Sequence, residues 1–236
     1  MASRLLSISR LALCLVMAVT LAGCATTAED AAEPDQMHAN AALPSASVTP
    51  TAPTSEEESM HTSDVQVSGT ETAVITTSKG TITLEFYADD APNTVASFIE
   101  LAESGFYDNI KFHRVVPTFV VQGGDPQTRD LTSAEVVDIV ARQAAGDYSS
   151  GDPMIGTGGP GWTQVAEFNA RPHERGTLAM ARSRDVNSAG SQFYICLGPQ
   201  PSLDGQYTVF GRVTSGMEVV DAIAVGDAIE SIVIER

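Results

Sequence analysis

Of the 8 Phe, 5 Tyr and 1 Trp in this 236-residue chain, none precedes Phe86. The first third therefore lacks the material for an ordinary core, and the remainder has the length of one domain. Lys and Arg are absent between Ala25 and Gly69, and over the whole chain acidic residues outnumber basic ones 30 to 13, for a formal charge of −17. That imbalance argues against a polyanionic partner, so no nucleic acid is expected to bind. Cysteine is scarce as well. Cys14, Cys24 and Cys196 are too few and too scattered for a disulfide framework or a zinc site, and neither metal nor cofactor is expected. Also missing are Gly-x-Ser-x-Gly, a P-loop, His-Glu-x-x-His and Cys-x-x-Cys, which removes the commonest hydrolase, nucleotide, metalloprotease and redox readings. The glycine-rich run that starts at Gly156 lacks the Lys-Ser/Thr of a phosphate loop and reads as tight turns.

What is present divides the chain in three. Residues 1–23 carry Arg4 and Arg10, then an apolar run too short to span a bilayer comfortably, which is the pattern of an export signal. The run ends in Leu21-Ala22-Gly23-Cys24, which resembles the lipobox of bacterial lipoproteins. That resemblance implies cleavage before Cys24, lipidation of its thiol, and attachment to a membrane on the extracytoplasmic side of the cell envelope. Two or three acyl chains hold such a protein stably, each buried CH₂ adding roughly 0.8 kcal/mol. Residues 24–69 are Ala, Thr, Ser, Pro and Glu, with the run Glu56-Glu57-Glu58, and too little apolar surface to offset ordering. They read as an acidic linker with a reach of very roughly 35 to 40 Å for about 45 residues. His38 and His61 within it are isolated and receive no role.

Residues 70–236 carry the folded domain. Ala73–Thr77 and Thr81–Phe86 read as a hairpin turning at Ser78-Lys79-Gly80, and a helix follows Pro92, with Val95, Phe98, Ile99 and Ala102 on one face and Gly105 as its stop. Further strands are expected at Lys111–Val115, Phe119–Gln122, Leu178–Ala181, Gln192–Leu197, Tyr207–Val213 and Ile229–Glu235, with a second helix at Met217–Ala224. Many strands without regular strand–helix alternation favour an antiparallel barrel or sandwich over a parallel sheet. One insertion, about residues 126–155, breaks the rhythm. Its Thr132-Ser133-Ala134-Glu135 is a capping-box pattern ahead of Val136, Val137, Ile139 and Val140, so a short extra helix is predicted there, at the periphery.

The segment Phe112-His113-Arg114-Val115-Val116-Pro117-Thr118-Phe119-Val120-Val121-Gln122-Gly123-Gly124-Asp125 places two polar residues in apolar, strand-like sequence. Arg114 and Gln122 share one sheet face if the chain turns at Pro117, and buried polar groups need partners. The segment resembles the signature of cyclophilins, the cyclosporin-binding peptidyl-prolyl isomerases. Three further blocks agree in order and spacing: Gly176–Ala181, Asn187–Ile195 and Leu203–Arg212. The resemblance covers roughly Ala73 to Ile234. It implies a closed eight-stranded antiparallel β-barrel capped by two helices, and it implies isomerisation of X-Pro bonds in proline-containing polypeptides, by a monomer without a cofactor.

By the same resemblance Arg114 is the catalytic donor to the twisted amide, supported by Gln122 and Phe119. Val120, Tyr194 and Leu203 line the proline pocket with Phe119, and Tyr207 adjoins them. Gln192, Gly156, Ala181, Arg182 and Ser183 form the neighbouring substrate groove, and His113 lies near the site. Val120 stands where the eukaryotic pattern has Met, Tyr194 where it has Phe, Tyr207 where it has His, and Ser202 where Trp supports cyclosporin. Weakened cyclosporin binding is therefore expected. The rival reading is a non-catalytic peptide-binding or chaperone module that keeps the fold and uses the insertion to hold a partner.

Overall fold

The computed structural model describes residues 60–236. The predicted export signal, Cys24 and the predicted linker up to residue 59 lie outside the described residues. In chain order the elements are β1 (Thr72–Thr77), β2 (Gly80–Phe86), α1 (Pro92–Glu103), β3 (Arg114–Val116), β4 (Val120–Gly123), α2 (Ser133–Ala144), β5 (Thr177–Met180), β6 (Phe193–Cys196), β7 (Val209–Ser215), α3 (Met217–Ala222) and β8 (Ile229–Glu235). Single 3₁₀ turns occupy Pro126–Thr128 and Pro201–Leu203.

All eight strands form one antiparallel sheet in the order β3-β4-β6-β5-β7-β2-β1-β8. Register shifts at Thr76/Thr77, Thr83/Leu84 and Leu178/Ala179 curl it, because an extra residue on one strand bends it and increases the local twist. The expected closed barrel is not what forms. The sheet is a curled, open half-barrel with β3 and β8 at its edges. The reason lies in the chain ahead of β3. Asn109 has φ 61°, which interrupts extended geometry, and β3 itself is only 3 residues long. The seam is instead stitched by that irregular segment: Asn109 N–H donates to Ile229 O (2.8 Å), Ile229 N–H to Ile110 O (2.8 Å), and Phe112 N–H to Asp227 O (2.9 Å).

Alternation fills the concave side. β1 buries every second residue, Ala73, Ile75 and Thr77, as a strand with one covered face must. Phe98 of α1 enters this core, its ring centroid 5.1 to 5.6 Å from those of Phe86, Tyr107, Phe193 and Phe210. Truncating such a residue to Ala costs about 3–5 kcal/mol. α1 starts at Pro92, whose missing N–H is one of the donors a first turn leaves unpaired anyway. Its N-cap residue, Ala91, does not cap it with a side chain. Glu167 does so from a distant loop, its carboxylate accepting from Asn93 N (3.0 Å), Thr94 N (2.7 Å) and the Thr94 hydroxyl (2.6 Å), an anion at a helix N-terminus.

The insertion helix α2 has its capping box formed, with Thr132 and Glu135 satisfying each other's backbone N–H groups. Val136 and Ile139 pack with Ile155 in a small cluster of their own, against Leu131, Val140 and Val225, while Val137 is exposed. Residues 60–69, which composition assigns to the linker, lie against the domain. Val65 and Val67 pack on the core, and His61 stacks on Trp162 at 3.8 Å while hydrogen bonding Glu100 (3.0 Å). Two alternating valines and one ring suffice because α1 and Trp162 are already fixed by the sheet.

Candidate active site

The β3–β4 hairpin pairs Arg114 directly with Gln122, so both side chains stand on one face, as the turn at Pro117 predicts. Phe119 N–H donates to Val116 O (3.0 Å) to close that turn, and Thr118 has φ 63°, a left-handed conformation that β-branched residues avoid. Gln200 Nε2 donates to Thr118 O (2.8 Å) and helps hold it. Behind the hairpin, Gly124 (φ +90) runs so close to β6 that a Cβ would stand 2.3 Å from Ser191 O; only glycine fits there.

From Arg114 a directed chain of donors runs inward. Arg114 Nη1 donates to Gln122 Oε1 (3.4 Å), Gln122 Nε2 to Gln192 Oε1 (3.0 Å), and Gln192 Nε2 to Gly158 O (2.8 Å). Beyond this long first link the exposed guanidinium, 5.4 Å from the Phe119 ring centroid, has no other hydrogen-bond partner among the described residues. Arg182 differs. Its fork is committed to Gln206 O (3.1 and 2.9 Å) and Ser183 O (3.0 Å), and it stacks 4.7 Å over Tyr207.

A cavity of about 210 Å³ lies between these groups, lined by Arg114, Phe119, Val120, Gln122, Ala181, Arg182, Tyr194, Leu203 and Tyr207. It brings together nine of the residues predicted from sequence. Gly156, Ser183 and Gln192 line an adjoining cavity of about 330 Å³ that shares Gln122, Ala181 and Arg182 with the first and also holds Trp162. His113 lines neither. It is buried, neither ring nitrogen has a hydrogen-bond partner among the described residues, and burial pushes its pKa down against the pull of Asp125. It therefore backs the site without touching its surface.

Sequence reasoning missed three residues that build the site from behind. Asp125, fully buried, accepts from Gln127 N (2.8 Å), Gly156 N (2.5 Å) and Gly158 N (3.2 Å). It ties both ends of the insertion together and presents Gly158 O to Gln192. His173 and Asp204 sit beneath Tyr194. The one available signal was Tyr194 itself, since a tyrosine in a buried strand must find a partner for its hydroxyl.

The fold and site define an antiparallel β protein with a partly apolar cavity beside the Arg114 guanidinium, continuous with a second, glycine-lined cavity. Residues 72–235 match the family model described as cyclophilin type peptidyl-prolyl cis-trans isomerase/CLD. Among its relatives, a peptidyl-prolyl cis-trans isomerase of Synechococcus elongatus is 42% identical over 162 residues, spanning 68% of this chain and 93% of the relative. Peptidyl-prolyl cis-trans isomerase B of Bacillus subtilis is 40% identical over 156 residues, 65% of this chain and 90% of the relative. A cyclophilin type isomerase crystal structure from Cryptosporidium parvum superposes with a TM-score of 0.56 at 25% identity, covering 70% of this chain and 98% of that one. A second crystal structure of that protein, in the presence of the dipeptide Ala-Pro, gives the same TM-score at 26% identity over 70% and 99% of the two chains. The chain belongs to the cyclophilin-type peptidyl-prolyl cis-trans isomerase family, and its enzyme class is EC 5.2.1.8.

Proposed function

We propose that this chain accelerates X-Pro rotation in exported or cell-envelope polypeptides, using the cavity of about 210 Å³ as its proline pocket and Arg114 as the group that favours the twisted amide. Rotation must break amide resonance, at a barrier of about 18–20 kcal/mol, and no bond is made or cut. What lowers such a barrier is a slot that fixes the pyrrolidine ring and a donor aimed at the pyramidal prolyl nitrogen, whose lone pair becomes available only as the bond twists. Val120, Phe119 and Leu203 supply apolar wall. The observation that carries the reading is the contrast between the two guanidiniums facing the pocket: Arg182 is spent on backbone carbonyls, whereas Arg114 keeps its donors for a ligand and is oriented through Gln122. Gln192 and the groove beyond it would hold substrate backbone.

The test is cis-to-trans kinetics on an X-Pro peptide. Wild type is expected to accelerate the reaction, and Arg114→Ala to lose roughly 10²–10³-fold in kcat/KM with the fold intact. A fully active Arg114→Ala would refute the assigned role. The extracytoplasmic setting rests on the sequence around Cys24, with the protein acting as a monomer tethered by lipid. Cys24→Ser is expected to move it from the membrane to the soluble fraction; unchanged membrane retention would refute the anchor.

A further inference from the structure

Tyr194 brings a hydroxyl to a place that calls for a ring. It lines the pocket and is 5% exposed, so its O–H cannot be left to water, and an unpaired phenol there would turn toward the slot. The structure supplies a partner from below. His173 Nε2 lies 3.0 Å from the Tyr194 hydroxyl, and Nδ1 lies 2.9 Å from Asp204 Oδ1, which also accepts from the His173 backbone N–H at 2.7 Å. The His173 side chain is completely buried, while that of Asp204 is 39% exposed. Hydrogen bonds from the His173 backbone N–H and from its ring hold the Asp204 carboxyl below its ordinary range. An ionised carboxylate only accepts, so Nδ1 carries the hydrogen, and in the neutral ring Nε2 accepts from the Tyr194 O–H. The phenol is thereby satisfied beneath the floor. Stacking completes the arrangement: the His173 ring lies 6.0 Å from Tyr194 at 17°, and Tyr207 meets Tyr194 edge-on at 5.8 Å.

We propose that His173 and Asp204 are positioning residues for the prolyl pocket, fixing the tilt of Tyr194 and keeping its hydroxyl out of the slot so that the substrate ring meets carbon. The proposal rests on the reading of this cavity as the proline site. Asp204 acts only through His173, and His173 only through Tyr194. Their effect belongs to binding of the pyrrolidine ring in both ground and transition states, and so to KM, whereas Arg114 acts on the twisted amide.

The experiment measures kcat and KM for an X-Pro peptide with His173→Leu and His173→Gln, each in the Tyr194 and the Tyr194→Phe background. In the Tyr194 background His173→Leu is expected to raise KM roughly tenfold with kcat within about twofold, because it leaves a buried hydroxyl unpaired, whereas on Phe the same change costs less than about twofold. His173→Gln, whose amide still reaches the hydroxyl, is expected to keep KM within about threefold of wild type. An equal cost of His173→Leu on both backgrounds, or a loss confined to kcat, overturns the proposal by reducing His173 to loop support. Should His173→Leu fail to fold, Asp204→Ala at the half-exposed carboxylate takes its place in the same comparison. A wild-type chain without any acceleration overturns the proline-site reading itself; an active wild type with equal costs overturns only the positioning role.

Discussion

Asp125→Ala perturbs the one buried carboxylate that joins the insertion to the groove. Three backbone N–H groups lose their acceptor: those of Gln127 (2.8 Å), Gly156 (2.5 Å) and Gly158 (3.2 Å). A hydrogen bond to a charged group contributes about 1.5–3 kcal/mol. Gly156 is exposed and Gln127 and Gly158 are half-buried, so water replaces much of what is lost, and the expected net cost is about 2–4 kcal/mol. Urea unfolding should show this as a lower midpoint at unchanged slope. Activity should fall as well, because Gly158 O anchors Gln192 (2.8 Å) and through it Gln122 and Arg114; a loosened positioning chain is expected to lower kcat/KM roughly three- to tenfold. Gly158→Ala approaches the same joint from the other side. Its Cβ would stand 2.1 Å from Asp125 Oδ1 and 2.9 Å from Gln127 Nε2, so the loop must lift while the carboxylate stays. This variant should lose comparable activity with a smaller loss of stability. An Asp125→Ala protein within about 1 kcal/mol of wild type, or a fully active Gly158→Ala, would show that the clamp does not set the groove.

Three further outcomes are expected. Burial raises the pKa of Glu71, but hydrogen bonds from Ser68 and Gly69 overcome this and lower it from 4.5 to about 2; the stability it contributes is present above pH 4.5 and lost as pH falls toward about 2, so Glu71→Gln should flatten the acid limb of an unfolding-versus-pH curve between those values. Loss of the stack on Trp162 (3.8 Å) should make His61→Ala about 0.5–1.5 kcal/mol less stable and change the emission of the chain's single tryptophan, which an unaltered spectrum would contradict. Ser202 sits exposed in the 3₁₀ turn beside the pocket, where a Trp would be needed to cover cyclosporin; inhibition in a peptide assay should therefore be weak, and nanomolar inhibition would refute this.

The parts of the fold that are local in sequence were legible. The β1–β2 hairpin shows its alternation and its turn, α1 shows its apolar face and Pro92, and α2 is announced by Thr132 and Glu135 three residues apart. Arg114 and Gln122 were legible as a pair because a single tight turn separates them. Closure of the sheet was not legible, since whether β8 meets β3 depends on accumulated twist and on one left-handed residue, Asn109. The order of residues 60–69 was equally hidden: Val65, Val67 and His61 look sparse until α1 and Trp162 offer them a surface.

The site divides along the same line. Its pocket-facing residues lie in the blocks that resemble the cyclophilin pattern, while its supports come from segments that only the sheet brings together. Tyr194 shows why. The sequence puts a tyrosine in a four-residue strand whose every position is buried, and elementary accounting of buried hydroxyls demands a partner. Which partner cannot be read from the strand. His173 precedes β5 and Asp204 follows β6, and pairing of those two strands carries their flanking loops to the same end of the sheet, where one imidazole can reach both the phenol (3.0 Å) and the carboxylate (2.9 Å). The buried tyrosine thus calls for a complement, and here the loops at the strand's end carry it.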